Sequence, residues 1–346
     1  MAVCCGSHRK NPAHDGSIIL HLYNVVPQNF SYPKVSMASF SASPSAITIV
    51  AETALALYPI LLKNVPTNLT TQVTARTVTY AVLAYILAST SDVSRAFTGG
   101  LGGLTQTILY SVLNLVHIGV SYASYKLLPA GNSLALFYTY PFWNMLLGWL
   151  FLGDSVSLRS VLLLAVAFVG TYMVAMNSTI EEFEGEAEAQ ADGKSETAKQ
   201  SSKNTALGVA LALGSAITES LIFLVVKTPS SPSPFLSMLQ LYPLAAAAIA
   251  GYGLWNNSYS VPSGMSSLKD TWLPLILFNA CIGFVGYALR FYAIPKLSTA
   301  VFSILSIIGV VAAYVFQLMF TPEKINGVAA LGSLLIAGAA GLAEGA

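Results

Sequence analysis

Ten stretches of mostly apolar residues, each close to the length that crosses a bilayer, dominate this chain of 346 residues. Pro, Gly, Asn or charged residues separate each stretch from the next, as is usual between membrane helices. The windows are residues 46–62, 70–90, 104–128, 132–152, 157–176, 206–226, 234–254, 271–294, 298–320 and 325–342. The second is the weakest, because polar residues dilute its first half, and it could be an interfacial helix. The pattern predicts an all-α membrane protein with ten transmembrane helices.

The composition excludes several classes of protein. Only 9% of the residues are charged, against about 25% in an average soluble domain, so they could not cover a water-exposed surface. The net charge of +1 comes without a concentrated basic patch, which argues against a nucleic-acid partner. The H-E-x-x-H, G-x-S-x-G and Walker A motifs are missing, and so is a paired acidic metal motif. We expect no enzyme activity, no cofactor and no metal. The expected partners are the lipid bilayer and a small-molecule substrate, with a homodimer left open.

Two polar segments divide the chain into domains. Residues 1–44 lack a sustained apolar run and are predicted to be a disordered N-terminal tail. A Ser-rich start with few acids is also typical of an organelle transit peptide, and Met37 could be the true initiator. Residues 177–205 are predicted to be an acidic linker loop between two five-helix repeats, residues 45–176 and 206–346. The alternative for this loop is a regulatory or partner-binding segment.

The two repeats show weak internal similarity. Glu52 precedes Glu219 by 167 residues, Asn114 precedes Asn279 by 165, and a proline near the end of the third window precedes its counterpart by 166. Because each repeat has an odd number of spans, the two must lie in the membrane upside down to one another. This is the inverted-repeat design of many transporters, whose substrate site lies near the bilayer midplane. The sequence therefore predicts a 5+5 inverted repeat.

The loops carry little information about orientation. With ten spans, eight basic residues fall on the side of the N-terminus and seven on the other. Three of those seven lie in the acidic loop, where the positive-inside rule counts less. Glycosylation sequons at Asn68, Asn177 and Asn256 all fall on the second side. We expect both termini to be cytosolic, in a plasma membrane, an endomembrane or a plastid membrane.

Two acidic residues lie near the middle of apolar windows, where a carboxylate costs about 2.5 to 3.5 kcal/mol to insert. They are Glu52 and Glu219, on repeat-related helices, and Arg76 is the deep cation predicted to pair with either. Two acids and one base leave one carboxylate unmatched, and burial favours its protonated form. The unmatched acid is a candidate proton carrier. The alternative is structural, with Arg76 paired to one acid while the other stays neutral and hydrogen-bonded.

Polar residues also follow one face of two repeat-related helices. The third window carries Tyr110, Asn114, His117, Ser121, Ser124 and Tyr125 on one face, and the eighth carries Asn279, Gly283, Gly286 and Arg290. Two such faces suit two walls of one substrate cavity. The alternative is hydrogen bonding between helices, with Gly allowing close packing. Tyr140 and Asn144, which flank Pro141, are further candidates for the cavity because a membrane proline frees a backbone carbonyl.

Several motifs between residues 122 and 174 resemble a known family. They are Lys126-Leu127-Leu128-Pro129-Ala130, Tyr140-Pro141-Phe142, Gly148-Trp149-Leu150-Phe151-Leu152-Gly153-Asp154 and Gly170. Together they resemble the EamA-like half of the drug/metabolite transporter superfamily, with Asp154 where that family usually has Glu. A second copy over residues 287–342 keeps Pro295, Glu323 and a Gly-rich last helix, but has Ile307 at the position of the helix proline.

The resemblance implies a secondary transporter of a small organic metabolite. In that family ten helices surround a central cavity, access alternates between the two sides, and no ATP is used. In the related sugar-phosphate branch, basic residues on the ninth helix bind phosphate, whereas residues 298–320 contain no basic residue, so a phosphorylated substrate is not expected. Proton coupling and exchange are both open. The alternative function is a membrane interaction or assembly protein without transport.

Overall fold

The computed structural model describes residues 42–63, 67–98, 100–128, 133, 136–190, 195–227, 233–259, 272–320 and 327–343. Within these ranges the chain forms helices and turns and contains no strand, which confirms the predicted all-helical class. The predicted tail, residues 1–44, falls almost entirely outside the described residues.

Helix covers part of each predicted window. The N-terminal set comprises α1 (Pro44–Lys63), α2 (Leu69–Leu87), the short α3 (Thr90–Val93), α4 (Gly100–Leu127), α5 (Tyr140–Leu147) and α6 (Leu158–Gln190). The C-terminal set comprises α7 (Ser195–Lys227), α8 (Pro234–Leu241), α9 (Pro243–Trp255), α10 (Trp272–Ala293), α11 (Thr299–Ser306), α12 (Ile308–Phe320) and α13 (Gly327–Ala343). Two π-helical segments, Ser94–Thr98 and Gly148–Leu152, and a 3-10 turn, Ile294–Lys296, extend α3, α5 and α10.

Five of the described helical stretches are long and apolar enough to cross a membrane. They are Gly102–Ser124, Ala206–Lys227, Pro234–Trp255, Leu273–Lys296 and Thr299–Phe320. Pro44–Leu57, Leu158–Val174 and Gly327–Ala343 are shorter apolar helices. Large apolar side chains such as Leu162, Leu254 and Leu334 point outward and are more than half exposed, as expected for a surface in contact with lipid tails.

The seventh window is broken into two helices at Tyr242, because Pro243 has no N–H to continue the hydrogen-bond ladder. The break leaves backbone carbonyls at the end of α8 that need donors from elsewhere. Ser111 Oγ donates to the carbonyl of Gln240 at 2.7 Å, and Asn114 Nδ2 donates to the carbonyl of Leu241 at 3.0 Å. Two residues of α4 thus stabilise the broken helix.

The acidic segment differs from the predicted loop. Helix α6 continues to Gln190 and α7 begins at Ser195, so most of residues 177–205 is helical. The physical reason is composition, since Glu, Ala, Lys and Gln are among the residues with the highest helix propensity. High polarity excluded a membrane span there, but it did not exclude a helix.

Small residues bring several helices into close contact. Gly170 on α6 and Gly332 on α13 lie backbone to backbone, and a Cβ atom on Gly332 would be 2.6 Å from the carbonyl oxygen of Gly170. Gly286 similarly brings α10 against Ala51 and Leu55 of α1. Helix α4 packs along α7. These contacts place α1, α4, α7 and α10 around a shared interior, which holds the polar site.

Candidate functional site

One buried arginine joins the two deep carboxylates. Glu52 on α1, Glu219 on α7 and Arg290 on α10 have 2%, 2% and 3% of their surface exposed. Arg290 Nε lies 3.2 Å from Glu52 Oε1, and its Nη1 lies 2.6 Å from Glu219 Oε1. Because unpaired charge is costly in a low-dielectric interior, this double ion pair stabilises both carboxylates and links three helices.

His117 extends this cluster from α4. Its Nε2 lies 3.2 Å from Glu219 Oε2, and its Nδ1 lies 3.1 Å from Thr218 Oγ1. The Thr218 hydroxyl donates to the carbonyl of Gly214 at 2.9 Å. We call Glu52, His117, Glu219 and Arg290 the charge cluster.

Aromatic side chains enclose the guanidinium of the charge cluster. Its central carbon lies 4.8 Å from the ring centroid of Tyr140, 5.8 Å from that of Tyr287 and 5.7 Å from that of Phe302. The Tyr140 hydroxyl donates to Glu52 Oε2 at 3.4 Å. The rings keep the charges apart from solvent while their faces favour a cation. The arrangement therefore holds charge deep inside the helix bundle.

A different cation from the predicted Arg76 lies between the two carboxylates. Arg290 bridges both carboxylates, whereas the Arg76 guanidinium lies over the rings of Tyr80 and Tyr287 at 5.3 and 5.4 Å. The sequence placed Arg290 close to the end of its window and therefore shallow. Gly286, one turn earlier, lets α10 approach α1 so closely that the long Arg290 side chain reaches Glu52.

The predicted polar face of α4 contacts other helices. Besides His117 and the Asn114 contact with α8, Ser121 Oγ is hydrogen-bonded to Ser215 Oγ of α7. These contacts are of the interhelical kind that the sequence left open beside a cavity. The side chain of Tyr125 lies outside the described residues. Asn279 on α10 is buried, and its Oδ1 has no hydrogen-bond partner within the described part of the chain.

Sequence reasoning missed the polar contacts where α5 and α10 end. Thr299 Oγ1 donates to the carboxylate of Asp154. Lys227 Nζ donates to the carbonyl of Ile294 at 3.3 Å and to that of Leu297. The family-like motif around Asp154 marked this loop but did not identify its partner.

The described residues provide no metal site. Within the ranges given above, no three His, Cys, Asp or Glu side chains lie close enough together to bind a metal ion. The charge cluster contributes only two carboxylates and one imidazole, and Arg290 occupies the space between the carboxylates. Its chemistry is that of an ion pair.

Two comparisons with known proteins find matches, one to the fold and one to a family over part of the chain. One solved crystal structure matches with a TM-score of 0.56 over 87% of this chain and 99% of the other, at 16% sequence identity, so the likeness concerns the fold alone. The comparison with curated proteins finds no match. The model of the EamA-like transporter family matches residues 44–176, which confirms the resemblance over that part of the chain. Together with the long apolar helices, this match identifies an integral, multi-pass membrane protein, of which residues 44–176 match the EamA-like transporter family of the drug/metabolite transporter superfamily.

Proposed function

We propose that this protein is a secondary, ATP-independent transporter that moves a small organic metabolite by alternating access and couples this movement to protons. The observation that carries the proposal is the charge cluster, in which two deep carboxylates share one arginine. A scaffold protein has no need for buried ionisable groups on four different helices, since each is costly to keep in a membrane interior. In transporters such groups mark ion and substrate pathways.

We also propose ten spans arranged as a 5+5 inverted repeat. Support comes from the packing of the helices. Helix α1 packs on α10, and α7, at the repeat-related position, packs on α4. Helix α1 also packs on α12, as α7 packs on α5. Exchanging the two sets thus returns the same kinds of contact, which is the relation expected of two copies of one five-helix unit.

Alternating access is supported by polar contacts between the two sets at both ends of the bundle. At one end, Thr299 donates to Asp154 and Arg159 Nη2 donates to the carbonyl of Leu342 at 2.9 Å. At the other end, Asn68 Nδ2 donates to the carbonyl of Ser258. Each contact is small and polar, so water can replace it. We propose that the two ends open in turn around the buried site.

The coupling proton is assigned to the contact between His117 and Glu219. The Thr218 hydroxyl donates its proton to the Gly214 carbonyl, so His117 Nδ1–H must donate to Thr218 Oγ1. In neutral His117, Nε2 then carries a lone pair that faces Glu219 Oε2 at 3.2 Å. Two lone pairs repel at that distance, so one proton resides on Nε2 or on the carboxylate. Releasing it changes the charge of the site, and with it the preferred conformation.

Uptake into proteoliposomes tests the transport function. Purified protein without ATP is expected to take up at least one member of a metabolite panel with saturable kinetics. In a cysteine-free background, cysteines at positions 154 and 299 are expected to block uptake when oxidised and to restore it when reduced. The single variants Asp154→Cys and Thr299→Cys serve as matched controls, and the oxidant is expected to leave their uptake unchanged. Uptake at an unchanged rate in the oxidised double variant would refute alternating opening at this end.

A further inference from the structure

Helix α5 and the broken helix α11–α12 run antiparallel, and two glycines fix their register. A Cβ atom on Gly148 would lie 2.8 Å from Thr299 Cγ2, and one on Gly309 would meet the Tyr138 hydroxyl. Tyr138 and Gly148 are ten residues apart, and so are their respective contacts, Gly309 and Thr299, which run in the opposite direction along the chain. Helices α5 and α11 pack against each other within this stretch.

Asn144 and Ser303 lie opposite each other in that register. Asn144 precedes Gly148 by four residues, and Ser303 follows Thr299 by four, so each shares a helix face with the glycine or threonine at the crossing. Both side chains are completely buried, at 0% exposure. Tyr140, one turn before Asn144 on the same face, donates to Glu52 of the charge cluster.

These two side chains are polar but unsatisfied. Within the described part of the chain, Asn144 Nδ2, Asn144 Oδ1 and Ser303 Oγ have no hydrogen-bond partner. Buried polar groups in folded proteins nearly always have one, because an unpaired group loses its hydration without compensation. An uncompensated amide and hydroxyl on facing helices, next to the charge cluster, therefore point to a ligand.

The hydrogen-bonding groups of Asn144 and Ser303 indicate which kind of ligand the two residues can bind. Asn144 offers two N–H donors and one carbonyl acceptor, and Ser303 offers a hydroxyl that donates and accepts. A carboxamide satisfies both sides of the asparagine, since its N–H donates to Oδ1 and its carbonyl accepts from Nδ2. A carboxylate leaves Oδ1 without a donor. It also adds a negative charge beside a cluster that already has two carboxylates for one guanidinium.

We propose that Asn144 and Ser303 bind an uncharged carboxamide group of the transported metabolite. This inference rests on the proposed transport function and specifies the class of substrate. The carboxamide lies at the crossing of α5 and α11, one helical turn from Tyr140. Binding of the carboxamide can affect the charge cluster through the hydrogen bond from Tyr140 to Glu52.

Binding of matched amide and acid pairs to the purified protein tests the proposal. The probes are nicotinamide against nicotinate and glutamine against glutamate, measured with radiolabelled compound. The parent protein is expected to bind the amide of at least one pair about tenfold or more tightly than the acid, because a site built for hydrogen bonding discriminates strongly. Asn144→Leu and Ser303→Ala are expected to remove that preference. Ser333→Ala is the matched control, because Ser333 Oγ is also buried without a partner within the described residues but lies on α13.

Folding and transport are separated from binding by two further measurements. Asn144→Leu removes an unpaired buried amide, so its melting temperature is expected to equal or exceed that of the parent; if it does not fold, Ser303→Ala decides the test. Binding of neither amide, or binding of the acids equal to that of the amides, would overturn the carboxamide assignment. Uptake of another metabolite in the panel would leave the transport function standing in that case. Amide binding without uptake of any metabolite would instead contradict the proposed transport function and support the carboxamide site.

Discussion

Arg290 lies within ion-pair distance of both Glu52 and Glu219, and the shorter of the two contacts, 2.6 Å, is with Glu219. The carboxylates come from α1 and α7, so the arginine of α10 joins helices from both sets. The loss of this side chain would leave two buried acids with no guanidinium between them.

Arg290→Leu is therefore expected to destabilise the protein by about 3 to 5 kcal/mol, the cost of breaking a buried ion pair from one side. The measurement is thermal unfolding in detergent. Lys296→Leu is the control, because Lys296 is exposed and lies over the ring of Tyr292 at the end of α10. Equal melting temperatures for Arg290→Leu and the parent would show that the double ion pair contributes nothing to stability.

Two glycines of α13 should respond in opposite ways to the same substitution. Gly332→Ala places a methyl group 2.6 Å from the Gly170 carbonyl and 2.9 Å from Met173 Cβ, and it is expected to cost about 1 to 3 kcal/mol. Gly338→Ala meets nothing within 4 Å, and is expected to stabilise the helix by up to about 1 kcal/mol. Comparison of the two melting temperatures measures the close contact of α6 with α13. Equal shifts would contradict it.

Asn114 should matter for stability through the helix break at Tyr242. Asn114→Leu removes the donor to the Leu241 carbonyl, and leaving that buried carbonyl unpaired is expected to cost about 1 to 3 kcal/mol. Val112→Leu, on the outward face of the same helix, is the control and is expected to change little, since Val112 is 52% exposed. Equal melting temperatures for Asn114→Leu and Val112→Leu would show that another donor satisfies the Leu241 carbonyl.

The ten spans that we propose would place both ends of the chain on one side of the membrane. Reporter tags at residues 2 and 346 are expected to show the same side, and a tag at residue 190 the opposite side. Accessibility of each tag in sealed vesicles gives the answer. Opposite sides for residues 2 and 346 would rule out an even number of spans and, with it, the 5+5 repeat.

The helices and the two deep acids could be predicted from the sequence because both signals are local. The composition of an apolar window is enough to predict a helix, and Glu52 and Glu219 are easily recognised as charged residues within such windows. The partner of those acids could not be predicted in the same way. Position along a window suggested Arg76, but the contact depends on how closely α10 approaches α1, which is set by Gly286.

The polar face of α4 shows the same limit. Its residues were predicted as one surface, and the structure places most of them at the interior of the bundle. The role of Asn114 was not predictable, because its acceptor is a carbonyl freed by the break before Pro243 on another helix. The helical structure of residues 177–190 was not predicted for a simpler reason, since high polarity indicates a loop although these residues favour helix.

The most direct test of the central claim is accumulation of substrate driven by a pH gradient in proteoliposomes, with a substrate identified from the panel. The parent is expected to accumulate it. Glu219→Gln fixes the neutral form of the side chain that shares a proton with His117, so it is expected to exchange substrate at equal pH but to lose accumulation. Glu52→Gln, the matched substitution at the repeat-related position, is expected to keep accumulation. Accumulation by Glu219→Gln to the level of the parent would contradict proton coupling at this site.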